Sequence, residues 1–276
     1  MTTTLSFPAA SGRSAGDYLR EWRQRRRMSQ LDLALEAEIS TRHLSFMETG
    51  RATPSREMVL RLSERLDVPL RERNAWLMAA GYAPMYSERK LDDPVAGPAR
   101  KAMELVLAGH EPYPALAVDQ HWNLVMHNRA VPFLLKGVSA ALLAPPVNVL
   151  RLALHPEGLA PRIVNYMEWR GHLLARLRQQ ISVSDDAVLK DLLEVLAAYP
   201  MPAGQPGRAD QALPGHDVQV VVPLRFDSEA GLLSLISTTT VFGTPVDVTF
   251  SELALESFFP ADAATAAILR RVAGEE

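Results

Sequence analysis

The chain has 276 residues, 47% of them hydrophobic and 22% charged, the balance of a soluble globular protein whose length suggests two domains. It contains no cysteine, which excludes disulfides and thiolate metal sites and gives no support to secretion. The net charge of −3 is unevenly placed: residues 1–90 hold 15 basic and 11 acidic side chains, the remainder 14 and 21, so any nucleic-acid contact is expected in the front of the chain. The opening MTTTLSFPAASGRSAG lacks a basic stretch followed by an apolar one, so no signal peptide is expected. No apolar run reaches the roughly 18 residues of a membrane span, and the expected location is cytoplasmic. Residues 1–14 read as a disordered tail, 15–84 as a helical domain, 85–98 as a linker and 99–276 as a second domain.

Five short helices are predicted in the first domain. The first runs from about Ala15 to Arg27 with Tyr18, Leu19 and Trp22 on one face. Ser29 caps a second, in which Leu31, Ala34 and Leu35 follow at helical spacing. After the tight connection Ala37-Glu38-Ile39, Ser40 caps a third, TRHLSFMET, which Gly50 closes. Ser55 starts a fourth with Met58, Val59, Leu62 and Leu66 inward. Pro69 breaks the chain, and a fifth helix runs from about Leu70 to Ala80. Helices this short are marginal alone and must be held by mutual packing.

The connection between the second and third helices has the length of a helix-turn-helix turn, whose second helix enters the DNA major groove. Leu44 and Met47 face inward. Thr41, Arg42, Ser45, Phe46 and Thr49 then share the opposite face. A cation at a helix N-terminus opposes the helix dipole, which favours acids there; facing phosphates and guanines resolves the conflict. Arg42 can bond guanine O6 and N7, and an outward Phe46 can contact a thymine methyl.

The stretch SQLDLALEAEISTRHLSFMETGRATPS resembles the helix-turn-helix of the lambda repressor/Cro-like group, also called the XRE family. The match rests on Gln30, Ala34, Ile39, Leu44, Glu48-x-Gly50-Arg51 and Pro54-Ser55. The resemblance implies an all-α lambda-repressor-like domain with base contacts from Thr41, Arg42 and Phe46. It also implies phosphate contacts from Gln30, Arg51, Ser45 and Arg56. Glu38 stands where the family turn often has Gly, so the turn is expected to differ slightly.

The second domain changes character. A helix from about Val95 to Ala108 is expected to bury Ala102, Leu105 and Val106. Ala115–Val118 and Trp122–His127 read as strands joined by a hairpin at Asp119-Gln120-His121, with Trp122, Leu124 and Met126 alternating onto one face and Asn128 as a helix cap. A long amphipathic helix over 161–181 is expected to bury Ile163, Tyr166, Met167, Trp169, Leu173 and Leu177. Another starts at Asp185 or Asp186 and ends at Tyr199. Residues 200–215 read as a loop. DVQVVVPLRF, GLLSLISTTTVF and PVDVTFSELALESF read as strands, and a helix over 262–272 closes the chain. This is an α+β domain: an antiparallel sheet covered by helices on one side.

The Asp119-x-x-Trp122-Asn123 hairpin with Asn128, NVLRLALHPEGL and YMEWRGHLLARLRQ resemble the ligand-binding half of MmyB-like transcription regulators. That resemblance implies a PAS-like sensor that takes a fatty-acid-like or other apolar small molecule. Trp122, Asn148, Arg151, Tyr166, Trp169 and Arg170 are the candidate pocket residues. Arg151 and Arg170 sit among apolar neighbours, where an arginine either holds a ligand carboxylate or snorkels to solvent.

Chemistry of other kinds has little support. None of the seven histidines forms an H-x-x-x-H pair, and no Walker A, GxGxxG or G-x-S-x-G sequence occurs. Neither a catalytic residue, a metal nor a cofactor is therefore expected. The expectation is a transcription regulator that binds a double-stranded DNA operator as a homodimer and responds to a small effector. The alternatives are a second domain that only dimerises and an enzyme with an accessory DNA-binding domain.

Overall fold

The computed structural model describes residues 12–89, 93, 97–202, 222–241 and 247–274. Most of the expected N-terminal tail, part of the expected linker, the bulk of the 200–215 loop and the first half of DVQVVVPLRF lie outside the described residues. The chain divides into two compact units. One takes residues up to 90 together with 244–251; the other takes 91–243 and 252–276.

The first unit contains α1 (Ala15–Arg25), α2 (Gln30–Glu36), α3 (Thr41–Glu48), α4 (Arg56–Arg65) and α5 (Leu70–Ala79). The hydroxyls of Ser14, Ser29, Ser40 and Ser55 each accept a backbone N–H of the first turn they cap. Asp17 and Asp32 reach back to close capping boxes on α1 and α2. Trp22, Leu33, Leu44, Met47, Leu62 and Trp76 form a sealed core, its leucines and methionine each contributing about 1.5–3 kcal/mol on burial. On α2 the inward residues are Leu33 and Ala34, whereas Leu31 and Leu35 are exposed. Leu33, Ala34 and the buried Ala37 make one helical stripe and Leu31, Ala34 and Leu35 another, and the position of α1 and α3 decides between them.

A charge is buried among these helices. Glu48, at the end of α3, is 4% exposed. Arg23 of α1 grips it with Nε at 2.6 Å and Nη2 at 3.1 Å, and the Gln30 amide of α2 donates to it at 2.8 Å. Arg20 donates to its backbone carbonyl at 2.7 Å. Three helices thus converge on one carboxylate. Gly16 permits the approach: a Cβ there would lie 2.5 Å from the Met47 carbonyl oxygen.

Residues 247–251 join this unit although they are distant in sequence. Ser87 and Asp247 form a parallel bridge, Val248 donates to the Ser87 carbonyl at 2.8 Å, and α11 (Val248–Ser251) packs on α5. The strand expected over PVDVTFSELALESF begins only at Ala254; a short helix precedes it, as Asp247 accepts from the Thr249 N–H and starts a turn.

The second unit contains α6 (Gly97–Gly109), β1 (Ala115–Val118), β2 (Leu124–His127), α7 (Val131–Leu134), α8 (Val149–Leu154), α9 (Tyr166–Ser184), α10 (Ala187–Ala198), β3 (Leu224–Ser228), β4 (Gly231–Val241), β5 (Ala254–Pro260) and α12 (Ala263–Ala273). The strands form one antiparallel sheet in the order β2-β1-β5-β4-β3. One face carries Val118, Leu224, Phe226, Leu233 and Leu235 against Trp169, Leu173 and Leu177 of α9. Ala115, Ala117 and Leu255 point the other way, onto Leu107 of α6, so helices pack on both faces of the sheet and not on one side as expected.

Several expectations change in detail. On α6 the buried pair is Met103 and Leu107, while Ala102, Leu105 and Val106 are exposed; the sheet meets the alternative helical stripe. Strand β2 starts at Leu124, because Trp122 has a left-handed backbone, φ 68°. A bulge between Ala117 and Val118 shifts the register, so Met126 pairs with Ala117 but Leu124 with Val118. Leu124 and Met126 consequently face opposite sides, since one extra residue inverts the alternation. Asn128 caps no helix: its Oδ1 accepts from Ala115 and Ala130, and its Nδ2 donates to the Leu107 and Tyr113 carbonyls. It is a buried latch between α6 and β1. Met167 is exposed, and Ile163 lies before α9, in a bridge to Phe226.

The departure at Glu38 leads to a prediction. Its φ of 55° is the left-handed conformation that Gly would adopt, so the turn keeps its geometry at the expense of backbone strain. That strain is of order 1–2 kcal/mol, while Gly would add roughly 0.4–1 kcal/mol of unfolded-state entropy. Glu38→Gly is expected to stabilise the first unit by about 0.5–1 kcal/mol, read as a rise in its thermal unfolding midpoint in the intact chain. A drop would show that the Glu38 side chain holds the turn.

Candidate functional site

The exposed face of α3 brings three of the expected residues together. Phe46 is half-buried, and the guanidinium carbons of Arg42 and Arg51 lie 5.2 Å and 5.8 Å from its ring centroid. The Arg51 N–H donates to the Phe46 carbonyl at 2.8 Å, which sets the chain leaving α3 beside it. Thr41 and Ser45 are half-buried on the same helix, and Thr49 folds its hydroxyl back to the Ser45 carbonyl at 2.8 Å. Gln30 has its amide engaged by Glu48. Arg56 is exposed at the start of α4. The result is a surface with two cations flanking one aromatic ring, on a helix anchored from behind by Leu44, Met47 and Glu48.

The second unit holds an apolar cavity of about 110 Å³ between the sheet and its helices. Its walls include Leu116 and Leu124 of the hairpin, Leu134, Leu150, Trp169 and Leu173, with Phe258 of β5. Trp122 closes one side. Its left-handed backbone follows from the turn: Asp119 accepts the N–H groups of His121 and Asn123 at 2.8 and 2.9 Å, and the chain must reverse at Trp122. The turn is pinned to α9, where Gln180 accepts from the indole N–H and donates to the Gln120 carbonyl, both at 2.8 Å. It is also pinned to α10, where His121 Nε2 meets Asp186 Oδ2 at 2.9 Å. Burial pushes the Asp186 carboxyl up, but the His121 bond and the α10 N–H groups outweigh it and hold it below the usual range.

Polar groups meet the cavity at one edge. Arg176 of α9 reaches across to Glu256 of β5 in a two-pronged pair, Nη2 to Oε1 at 2.6 Å and Nη1 to Oε2 at 3.0 Å. Thr239 of β4 accepts from Arg176 at 2.6 Å and donates to Glu256 at 2.9 Å. The guanidinium stacks 4.5 Å over Trp122. Glu256 is 5% exposed.

Of the six residues expected at a pocket, Trp122 and Trp169 line this cavity. The other four lie outside its lining. Asn148 caps α8 through the Arg151 N–H and holds the His121 carbonyl. Tyr166 donates to the Leu154 carbonyl at 3.2 Å, and Arg170 donates to the Ala197 carbonyl at 2.8 Å. Arg151 is half-exposed. Sequence reasoning missed Arg176 and Glu256. A signal existed for the first: Trp169, Leu173 and Arg176 share an i, i+4, i+7 stripe, which places a cation on the inward face of α9. Glu256 carried none, because nothing local says which way a strand acid points.

His172, stacked at 5.3 Å beside Trp169, is held below its ordinary value by burial, then by the Arg176 charge, with Glu256 opposing. The unfolded chain therefore binds the extra proton first. The contribution to stability is present above the ordinary histidine value and is lost as pH falls from there through the lowered one. The unfolding midpoint of the second unit is expected to fall more steeply from pH 7.5 to 5.5 in the native chain than in His172→Gln; equal slopes would refute this.

Among the described residues, no helix is long and apolar enough to cross a membrane, and no group of three or more acidic or histidine side chains is placed to hold a metal ion. Residues 99–272 match a family described as the MmyB-like transcription regulator ligand binding domain, and residues 19–73 match a helix-turn-helix family. Over 120 residues the chain is 36% identical to a protein of Methanoculleus marisnigri described as a candidate HTH-type transcriptional regulatory protein. The match takes in 42% of this chain and 38% of that protein, so the chain spans about two fifths of the relative's length. With its second unit matched almost from end to end, the chain belongs to the MmyB-like transcription regulators and carries a helix-turn-helix ahead of the family's ligand-binding domain.

Proposed function

We propose that this regulator binds a double-stranded DNA operator through α3 and that its second, PAS-like unit senses a small effector with an apolar, fatty-acid-like body. The observation that carries the reading is the Arg42–Phe46–Arg51 surface on an anchored helix, in the same chain as a cavity whose walls are almost wholly apolar. Arg42 and Phe46 read base edges, with Thr41 beside them. Arg51, Ser45 and Arg56 hold phosphates. Gln30, tied to Glu48, presents the start of α2 to the backbone of the duplex. The protein acts in the cytoplasm as a homodimer on half-sites about one helical turn apart, without catalysis.

The cavity suggests how an effector would act. Small-molecule sites usually measure roughly 300–1,000 Å³, well above the 110 Å³ present. A chain-like occupant must part the elements around it, including α9 and strands β4 and β5. Those two strands are joined in sequence through 247–251, the segment that packs with the first unit. An effector that favours the parted arrangement has the differential affinity that a switch requires.

The experiment is operator binding by fluorescence anisotropy at fixed salt. Arg42→Ala is expected to weaken binding by about 1–3 kcal/mol and relax preference at one base pair. An exposed cation elsewhere, Arg129 on the second unit, serves as control: Arg129→Ala should leave affinity within about two-fold. Unchanged affinity in Arg42→Ala would refute the assignment of α3 as the reading helix.

A further inference from the structure

The polar edge of the cavity restricts the effector's head group, an argument that rests on the cavity being the effector site. Arg176 is the one cation that lines it among the described residues, and its charge is already matched. Both Nη groups engage Glu256, Thr239 takes a further N–H, and the guanidinium face covers Trp122. A ligand carboxylate could pair with Arg176 only by displacing Glu256, which would leave that buried carboxylate without its counter-charge. A second anion placed beside the intact pair would meet Glu256 at close range in a medium less polar than water.

What the edge does offer is an acceptor. Glu256 Oε1 receives both Arg176 and Thr239, but Oε2 receives one N–H from Arg176. A carboxylate has about four lone-pair positions over its two oxygens, two on each, so Oε2 keeps one. Ser237, two residues from Thr239 on β4 and opposite Phe258, lines the same wall with a hydroxyl that both donates and accepts. We propose that the cavity takes an amphiphile with an alkyl body and an uncharged, hydrogen-bond-donating head, an alcohol or primary amide, and discriminates against the free carboxylate. Glu256 is the specificity-determining residue, and Arg176 positions it.

Titration calorimetry on the intact chain with n-decanol, n-decanamide and n-decanoate tests this. The alcohol and the amide are expected to bind at least about ten-fold more tightly than the acid. In Glu256→Gln the carboxylate that neutralises Arg176 is gone, and the order is expected to reverse in favour of decanoate. That reversal also locates the site, since no surface binding would respond to a buried residue. If the acid binds the native chain as well as or better than the alcohol, the head-group assignment is overturned while the cavity stands as the effector site. If none of the three binds, the cavity reading falls and the head-group assignment with it. Should Glu256→Gln fail to fold, Thr239→Val, which removes one partner of Glu256 and leaves the ion pair, must keep the native preference for alcohol over acid; loss of that preference would overturn the proposal.

Discussion

The second unit depends on a charge being carried into an apolar contact. Helix α9 lies on the sheet through Trp169, Leu173 and Leu177, and the next residue of that stripe toward β5 is Arg176. An unmatched guanidinium in that place would hold the helix off the sheet, because an unpaired charge loses several kcal/mol on leaving water. Glu256 on the central part of β5 supplies the counter-charge, and Thr239 and Trp122 complete its surroundings. The pair is a spacer as well as a tie. It brings α9 to the strands at one edge while the apolar side chains beyond it do not quite fill the space, and the cavity is what remains. A pair of this kind adds little net stability relative to apolar residues; its effect is to fix where the helix sits.

The first unit solves a similar problem with Glu48. The helix that presents Arg42 and Phe46 has only eight residues and would not persist alone. Leu44 and Met47 seat it, and the convergence of Arg23 and Gln30 on Glu48 sets its rotation relative to α1 and α2. Both units thus use a buried carboxylate to orient the helix that matters, and both surround it with donors from other elements. Arg42 on α3 and Arg51 just beyond it are then free of internal carboxylate partners among the described contacts and point their charge outward.

How much of this was legible follows from which interactions are local. Serine caps, helix breaks at proline and glycine, and the order of strands and helices are set by neighbours in sequence, and those expectations describe the architecture well. The choice of face is not local. Leu31 and Leu35 against Leu33 and Ala37, or Ala102, Leu105 and Val106 against Met103 and Leu107, are rival stripes of equal period, and only the partner surface selects one. The bulge beside Val118 is likewise invisible in composition, yet it sends Met126 and Leu124 to opposite sides. At the cavity, the two tryptophans were readable as large apolar groups next to structural turns. The arginines singled out, Arg151 and Arg170, were flanked by apolar residues in sequence, but helical geometry places i+3 and i+4 neighbours together, not adjacent ones. Arg176 satisfied that test with Leu173 and Trp169. Its partner lies 80 residues away, a separation no local pattern reports.

The central claim is that one chain links a DNA surface to an apolar cavity, and linkage is reciprocal. The most direct measurement is the affinity of an amphiphile for the intact protein with and without saturating operator, set beside the affinity for operator with and without saturating amphiphile. The account predicts that both ratios depart from one by the same factor, about 5–150-fold, as for a coupling of 1–3 kcal/mol. Two ratios of one, with both ligands bound, would contradict it.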